Sequence, residues 1–88
     1  MAGDTSYAGI VRAEIAIEFL NRARGIVSSR IHEIEADDPA TVENLRVRRR
    51  ALVELQHGVQ IMDREGVEAI IATWGPRVRD ERLFWQEF

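Results

Sequence analysis

The residues that could carry catalysis are few in this 88-residue chain, and their spacing is typical of helix surfaces. Ser28 and His32 are four positions apart, which allows a hydroxyl–imidazole contact on a helix, but no oxyanion-hole motif accompanies them. The chain has no cysteine, which excludes thiol catalysis and thiolate metal sites. It also lacks lysine and any glycine-rich phosphate-binding motif. We therefore expect a protein that is not an enzyme and binds no cofactor.

A metal site is the next chemistry to consider. Glu54 and His57 match the Glu-x-x-His spacing of carboxylate-bridged metal centres in helical bundles, and Glu14 or Glu18 could add oxygen ligands. Such ligands must point into the bundle, whereas Glu54 and His57 lie roughly opposite the apolar stripe of their own helix. We therefore expect these residues to face solvent and to bind no metal.

The run from Arg46 to Arg50 is the most basic part of the sequence. Arg46, Arg49 and Arg50 share one face of a helix, as a nucleic-acid contact would require. Glu43 and Glu54 are spaced to pair with this face, and the net charge of the chain is −3, which disfavours general attraction to a phosphate backbone. A dimeric nucleic-acid-binding regulator using these three arginines is therefore the alternative function.

Arg48 differs from its neighbours because it occupies the apolar stripe of its helix. It is either buried against a carboxylate, or its stem lies along the stripe while its guanidinium reaches out of the core. The sequence leaves both arrangements open.

The end of the chain is rich in aromatic residues, three of which fall within the last five positions. Aromatic and arginine side chains dominate many protein interfaces, although the same residues could close the core of a small domain. We take Arg48 and the C-terminal apolar residues as the candidate protein-binding site. Its residues are Trp74, Leu83, Phe84, Trp85, Phe88 and Arg48.

The apolar spacing predicts an all-α fold in a single domain. Ala16, Leu20, Ala23 and Val27 recur every three or four positions on one helix face. Asp38-Pro39 is a helix start, Gly66 is a candidate C-cap, and Gly75-Pro76 is expected to end a helix. These signals predict helices over 6–36, 39–65, 67–74 and 77–87, the first two forming an antiparallel hairpin followed by two shorter helices.

Two helices cannot cover all of the apolar surface that this pattern creates. A heptad stripe runs through Leu45, Arg48, Leu52, Leu55, Val59 and Met62. A chain of this length buries only ~60–65% of the surface that its unfolded form exposes, so association with a second copy is favoured. We therefore expect a homodimeric helical bundle that acts as a small acidic adaptor, regulator or inhibitor of a protein partner. With no targeting signal or membrane segment, we expect it in the cytoplasm.

Overall fold

The computed structural model describes residues 6–88, and every regular element in this range is helical. The all-α class predicted from the sequence is confirmed for this part of the chain. No helix in it combines the length and the apolar character needed to cross a membrane. The elements are α1 (Tyr7–Ile34), α2 (Pro39–Gly58), a 3-10 turn (Val59–Ile61), α3 (Arg64–Arg79) and α4 (Glu81–Glu87).

Each α-helix begins at a polar residue whose side chain accepts a hydrogen bond from the backbone N–H three positions later. These residues are Ser6, Asp38, Asp63 and Asp80. The predicted start at Asp38 with Pro39 in the first turn is confirmed. Hydrogen bonds from the Thr41 hydroxyl and, to a smaller extent, its backbone N–H lower the pKa of the Asp38 carboxyl. The charged carboxylate suits the positive end of α2.

The second helix ends earlier than the sequence analysis predicted. The predicted span of 39–65 is divided, because α2 ends at Gly58 and α3 begins at Arg64 after the 3-10 turn. Gly66 was assigned as a C-cap, but its N–H donates to the Asp63 carboxylate over 2.8 Å, so it lies in the first turn of α3. The predicted end of the helix was therefore wrong, since the capping Asp63 starts a new one.

Gly75 and Pro76 do not end a helix either. The predicted helices 67–74 and 77–87 are wrong in their bounds, because α3 continues through Pro76 and α4 begins only after Asp80. Proline keeps a helical φ and removes one backbone donor. The burial of the preceding Trp74 and Gly75 can offset this cost. Gly75 is buried against α1, where its missing side chain permits close contact with Phe19.

The core is built around α1, which contacts both α2 and α3, while α4 packs on α3. The buried side chains of α1 are Ala16, Leu20, Ala23, Val27 and Ile31. Four of them were predicted from their spacing. Against them pack Leu45 and Leu52 of α2, Ile70 of α3 and Phe84 of α4.

One ion pair connects α1 to α3 with two parallel hydrogen bonds. The Arg12 Nε and Nη2 atoms donate to the two Glu68 carboxylate oxygens, each over 2.7 Å. These hydrogen bonds are the main cause of a lowered pKa of Glu68, to which the charges of Arg12 and Arg64 add. Bidentate geometry is the strongest form of arginine–carboxylate pairing, so this pair is expected to matter although it is partly exposed.

Glu68→Gln is expected to destabilise the protein at pH 7 and to have little effect in acid. Because the folded pKa of Glu68 lies below its unfolded pKa, the pair contributes its full stabilisation above the unfolded pKa, and this contribution is lost as pH falls through the folded pKa. Chemical denaturation of wild type and variant between pH 7 and 3 measures this difference. Glu54→Gln serves as the control, since Glu54 forms no ion pair within residues 6–88. A loss of stability in Glu68→Gln that is the same at pH 7 and pH 3 would contradict the assignment of a stabilising ion pair to Glu68.

Candidate protein-binding surface

The C-terminal aromatic residues form one cluster centred on Phe84. Its side chain is fully buried, and its ring centroid lies 6.2 Å from that of Trp74, 5.1 Å from Trp85 and 4.9 Å from Phe88. Trp74 is only 9% exposed. Phe84 and Trp74 therefore belong to the core, and their side chains offer a partner little surface. Trp85, Phe88 and Leu83 are half-buried and remain accessible.

Arg48 takes the second of the two arrangements that the sequence left open. Its guanidinium carbon lies 4.1 Å from the centroid of the Phe88 ring. No carboxylate within residues 6–88 pairs with it at ion-pair distance. The cation is thus held over an aromatic face, an interaction of about 0.5–1 kcal/mol at an exposed site, and its charge stays available to another group.

Arg30 makes the same contact with the next aromatic residue. Its guanidinium carbon lies 5.0 Å from the Trp85 ring centroid, while the Trp85 indole N–H donates to Glu81 over 3.4 Å. We call the surface formed by Arg30, Arg48, Trp85 and Phe88 the arginine–aromatic strip. It joins side chains from α1, α2, α4 and the C-terminal residue.

Two clefts border this strip, and Arg48 lines both. The first, about 370 Å³, lies between Arg30, Asp38 and Trp85. The second, about 340 Å³, lies beside Phe88 and contains the exposed Ala51. We call them the Trp85 cleft and the Phe88 cleft. An extended segment crossing the strip would thus find a recess on each side of Arg48.

The acidic residues beside the strip are already engaged. Asp38 caps α2 and accepts from Thr41. Glu81 accepts from the Trp85 indole, and Glu87 lies 4.0 Å from Arg77, whose guanidinium also lies over Trp74. None of these three carboxylates lies within ion-pair distance of Arg30 or Arg48.

Arg46, Arg49 and Arg50 line a separate cleft of about 270 Å³ together with Val53. The expected pair between Arg46 and Glu43 is present, with its N and O atoms 3.6 Å apart. Arg49 donates to the Ser28 hydroxyl over 2.9 Å. Arg50 has no ion pair within residues 6–88, so its expected pairing with Glu54 does not form.

The side chains considered for catalysis or metal binding lie apart. The Ser28 hydroxyl accepts from Arg49, and His32 lies 3.7 Å from Glu35. Glu54 and His57 are exposed on α2. Among residues 6–88, no three histidine or acidic side chains cluster closely enough to hold a metal ion.

One residue of the strip was missed by the sequence analysis. Arg30 is separated from Trp85 by most of the chain, and only the packing of α4 brings the two together. The only sequence signal that could have pointed to Arg30 was its position on the half-buried side of a helix. Comparison of the chain with protein-family models, curated proteins and solved structures gives no match, so its function is inferred from this geometry alone.

Proposed function

We propose that this protein is a non-catalytic binding module that docks an acidic segment of a partner protein on the arginine–aromatic strip. The observation that carries the proposal is the stacking of Arg48 on Phe88 and of Arg30 on Trp85, with neither cation paired to a carboxylate within residues 6–88. Such a module would act as an adaptor, regulator or inhibitor.

The partner segment is expected to combine carboxylates with apolar side chains. The strip presents positive charge and aromatic faces, the residue types most enriched at interface hot spots. Its arginines are pre-positioned by stacking, so less side-chain entropy is lost when they pair with a carboxylate. Apolar anchors would fill the Trp85 cleft and the Phe88 cleft on either side of Arg48.

Photo-crosslinking tests this proposal in cells that produce the protein. A crosslinking amino acid at Ala51, which lines the Phe88 cleft, should capture one partner protein, whereas the same group at Ala72, exposed on α3, should not. Adding Arg48→Ala should remove the adduct, and adding Arg50→Ala should leave it. An adduct indifferent to Arg48, or none above the Ala72 control, would overturn the proposal.

We also infer that α1 and α2 run antiparallel as a hairpin and that the protein is a homodimer. Arg49 reaches Ser28, while Gln56, farther along α2, reaches Asn21, which lies earlier in α1. This reversed order supports the hairpin. The dimer is supported by the small size of the chain and by large apolar side chains that stay exposed.

A second candidate function is nucleic-acid binding through Arg46, Arg49 and Arg50. It is favoured by their convergence on one cleft and by the free charge of Arg50 within the described residues. Each phosphate contact releases counterions, so binding of a labelled DNA duplex should fall steeply between 50 and 200 mM salt. Arg50→Ala should weaken it, and Arg48→Ala should not. Undetectable binding at 50 mM salt would exclude this candidate.

A further inference from the structure

A groove of about 310 Å³ lies between the start of α1, the 3-10 turn and the start of α3. Most of the side chains lining it are apolar. They are Ile10, Ala13, Ile17, Val59, Met62 and Val67. Neither the arginine–aromatic strip nor the cleft beside Arg50 shares any residue with this groove.

The groove residue Ile10 is exposed, and two other exposed apolar residues lie close to groove residues in the chain. Tyr7 is 84% exposed, Ile10 is 48% exposed and Ile61 is 68% exposed. Tyr7 precedes Ile10 by one helical turn on the same face of α1, and Ile61 is the chain neighbour of the groove residue Met62. A concave apolar surface with projecting apolar groups beside it is typical of a surface that another molecule covers.

The charges at this groove are of both signs. Glu14 and Arg64 line it together, and Arg64 also lies 3.9 Å from Glu68 within the same chain. A two-fold axis places a patch against a copy of itself, so that away from the axis a contact of one residue with a second is repeated as a contact of the second with the first. Such an axis can bring Glu14 of one copy towards Arg64 of the other without juxtaposing like charges.

The arginine–aromatic strip has the opposite property. Its two charged members, Arg30 and Arg48, are both positive, while the nearby Asp38 and Glu87 line the clefts beside it. Contact between the arginines of two strips would place like charges together. Of these two surfaces, the groove is therefore the one whose charges suit a second copy of this chain, and the strip is the one that suits an acidic partner.

We propose that the groove is the homodimer interface, with Tyr7 and Ile10 of each copy packed into the groove of the other and Glu14 paired with Arg64 across the axis. This proposal rests on the homodimer inferred above and names its surface. The arginine–aromatic strips stay uncovered in this arrangement, so each dimer presents two of them to partner proteins.

The oligomeric mass of the full chain tests the proposal by light scattering or sedimentation equilibrium over a range of concentrations. Wild type should have twice the chain mass of 10.1 kDa. Ile10→Glu should raise the dissociation constant of the dimer by about tenfold or more, because a charge would be buried in an apolar contact. The control is Val47→Glu on α2, at a position that is 62% exposed and away from the groove residues, and it should leave the dimer intact.

Charge exchange gives an independent readout of the two-fold pairing. Glu14→Arg and Arg64→Glu should each weaken the dimer, and the double variant should restore much of the loss because the opposite charges face each other again. An additive loss in the double variant would contradict the pairing.

The outcomes distinguish failure of the proposed interface from failure of the homodimer. A wild-type monomer at all concentrations would overturn both. A dimer that survives Ile10→Glu with unchanged helicity would overturn the groove and leave the homodimer standing. If Ile10→Glu loses helicity, Tyr7→Glu decides in the same way, since Tyr7 is placed in the same interface and is 84% exposed within its own chain, so its replacement should not disturb the fold.

Discussion

Replacing Phe84 with alanine is expected to lower the free energy of unfolding by about 3–5 kcal/mol. The Phe84 side chain is fully buried and contacts three other aromatic rings, so its removal takes away both apolar burial and ring packing. Small domains are stable by only about 0.05–0.15 kcal/mol per residue, which makes this a large fraction of the total. Urea denaturation followed by circular dichroism measures the loss.

The neighbouring Leu83 provides the matched control for this substitution. Leu83 is half-buried and lies outside the buried core, so Leu83→Ala should cost much less than Phe84→Ala. Equal losses, or a loss below about 1 kcal/mol at Phe84, would contradict the assignment of Phe84 to the core. That result would return Phe84 to the candidate binding residues.

Gly75→Leu is expected to destabilise the protein by about 1–3 kcal/mol, although leucine favours a helix more than glycine does. A Cβ atom at Gly75 would lie 3.1 Å from the Phe19 ring, closer than ordinary contact, so the ring would have to move, and the larger leucine side chain is expected to require a larger shift. The ring is further confined by the Arg79 guanidinium, whose carbon lies 5.7 Å from its centroid. Relief of this overlap requires the Phe19 ring to shift or α1 and α3 to separate.

The same substitution at Gly25 measures the effect of helix propensity without the steric overlap. A Cβ atom at Gly25 meets nothing within 4 Å, and the residue is exposed in the middle of α1. Gly25→Leu is therefore expected to stabilise the protein by roughly 0.8 kcal/mol. Thermal denaturation of both variants gives the comparison. If Gly75→Leu unfolded at the same temperature as wild type or higher, the close contact of Gly75 with the Phe19 ring would not restrict this position.

Features that depend on a few adjacent residues were predictable from the sequence. The N-cap at Asp38 needs only its own carboxylate and the following Pro39, and the structure contains both in these roles. The buried stripe of α1 follows from its three-and-four spacing, which is a property of the helix itself. The all-α class follows from the same periodicity.

Features that depend on contacts between distant segments were not predictable. Gly75 and Pro76 carry a strong local signal to end a helix, and only the packing of α3 on α1 makes continuation acceptable. Gly66 is a plausible C-cap until Asp63 is seen to cap the next helix. The contact of Arg30 with Trp85 depends on how α4 folds back, which no local pattern encodes.

The affinity of the crosslinked partner for the purified protein, measured by calorimetry for wild type and two arginine variants, tests the central claim most directly. Arg48→Ala should weaken binding at least about tenfold, since it removes a charge and the aromatic contact beside both clefts. Arg50→Ala, on the same helix and outside the strip, should bind like wild type. Equal affinity of Arg48→Ala and wild type, with the weakening found at Arg50→Ala instead, would contradict the account.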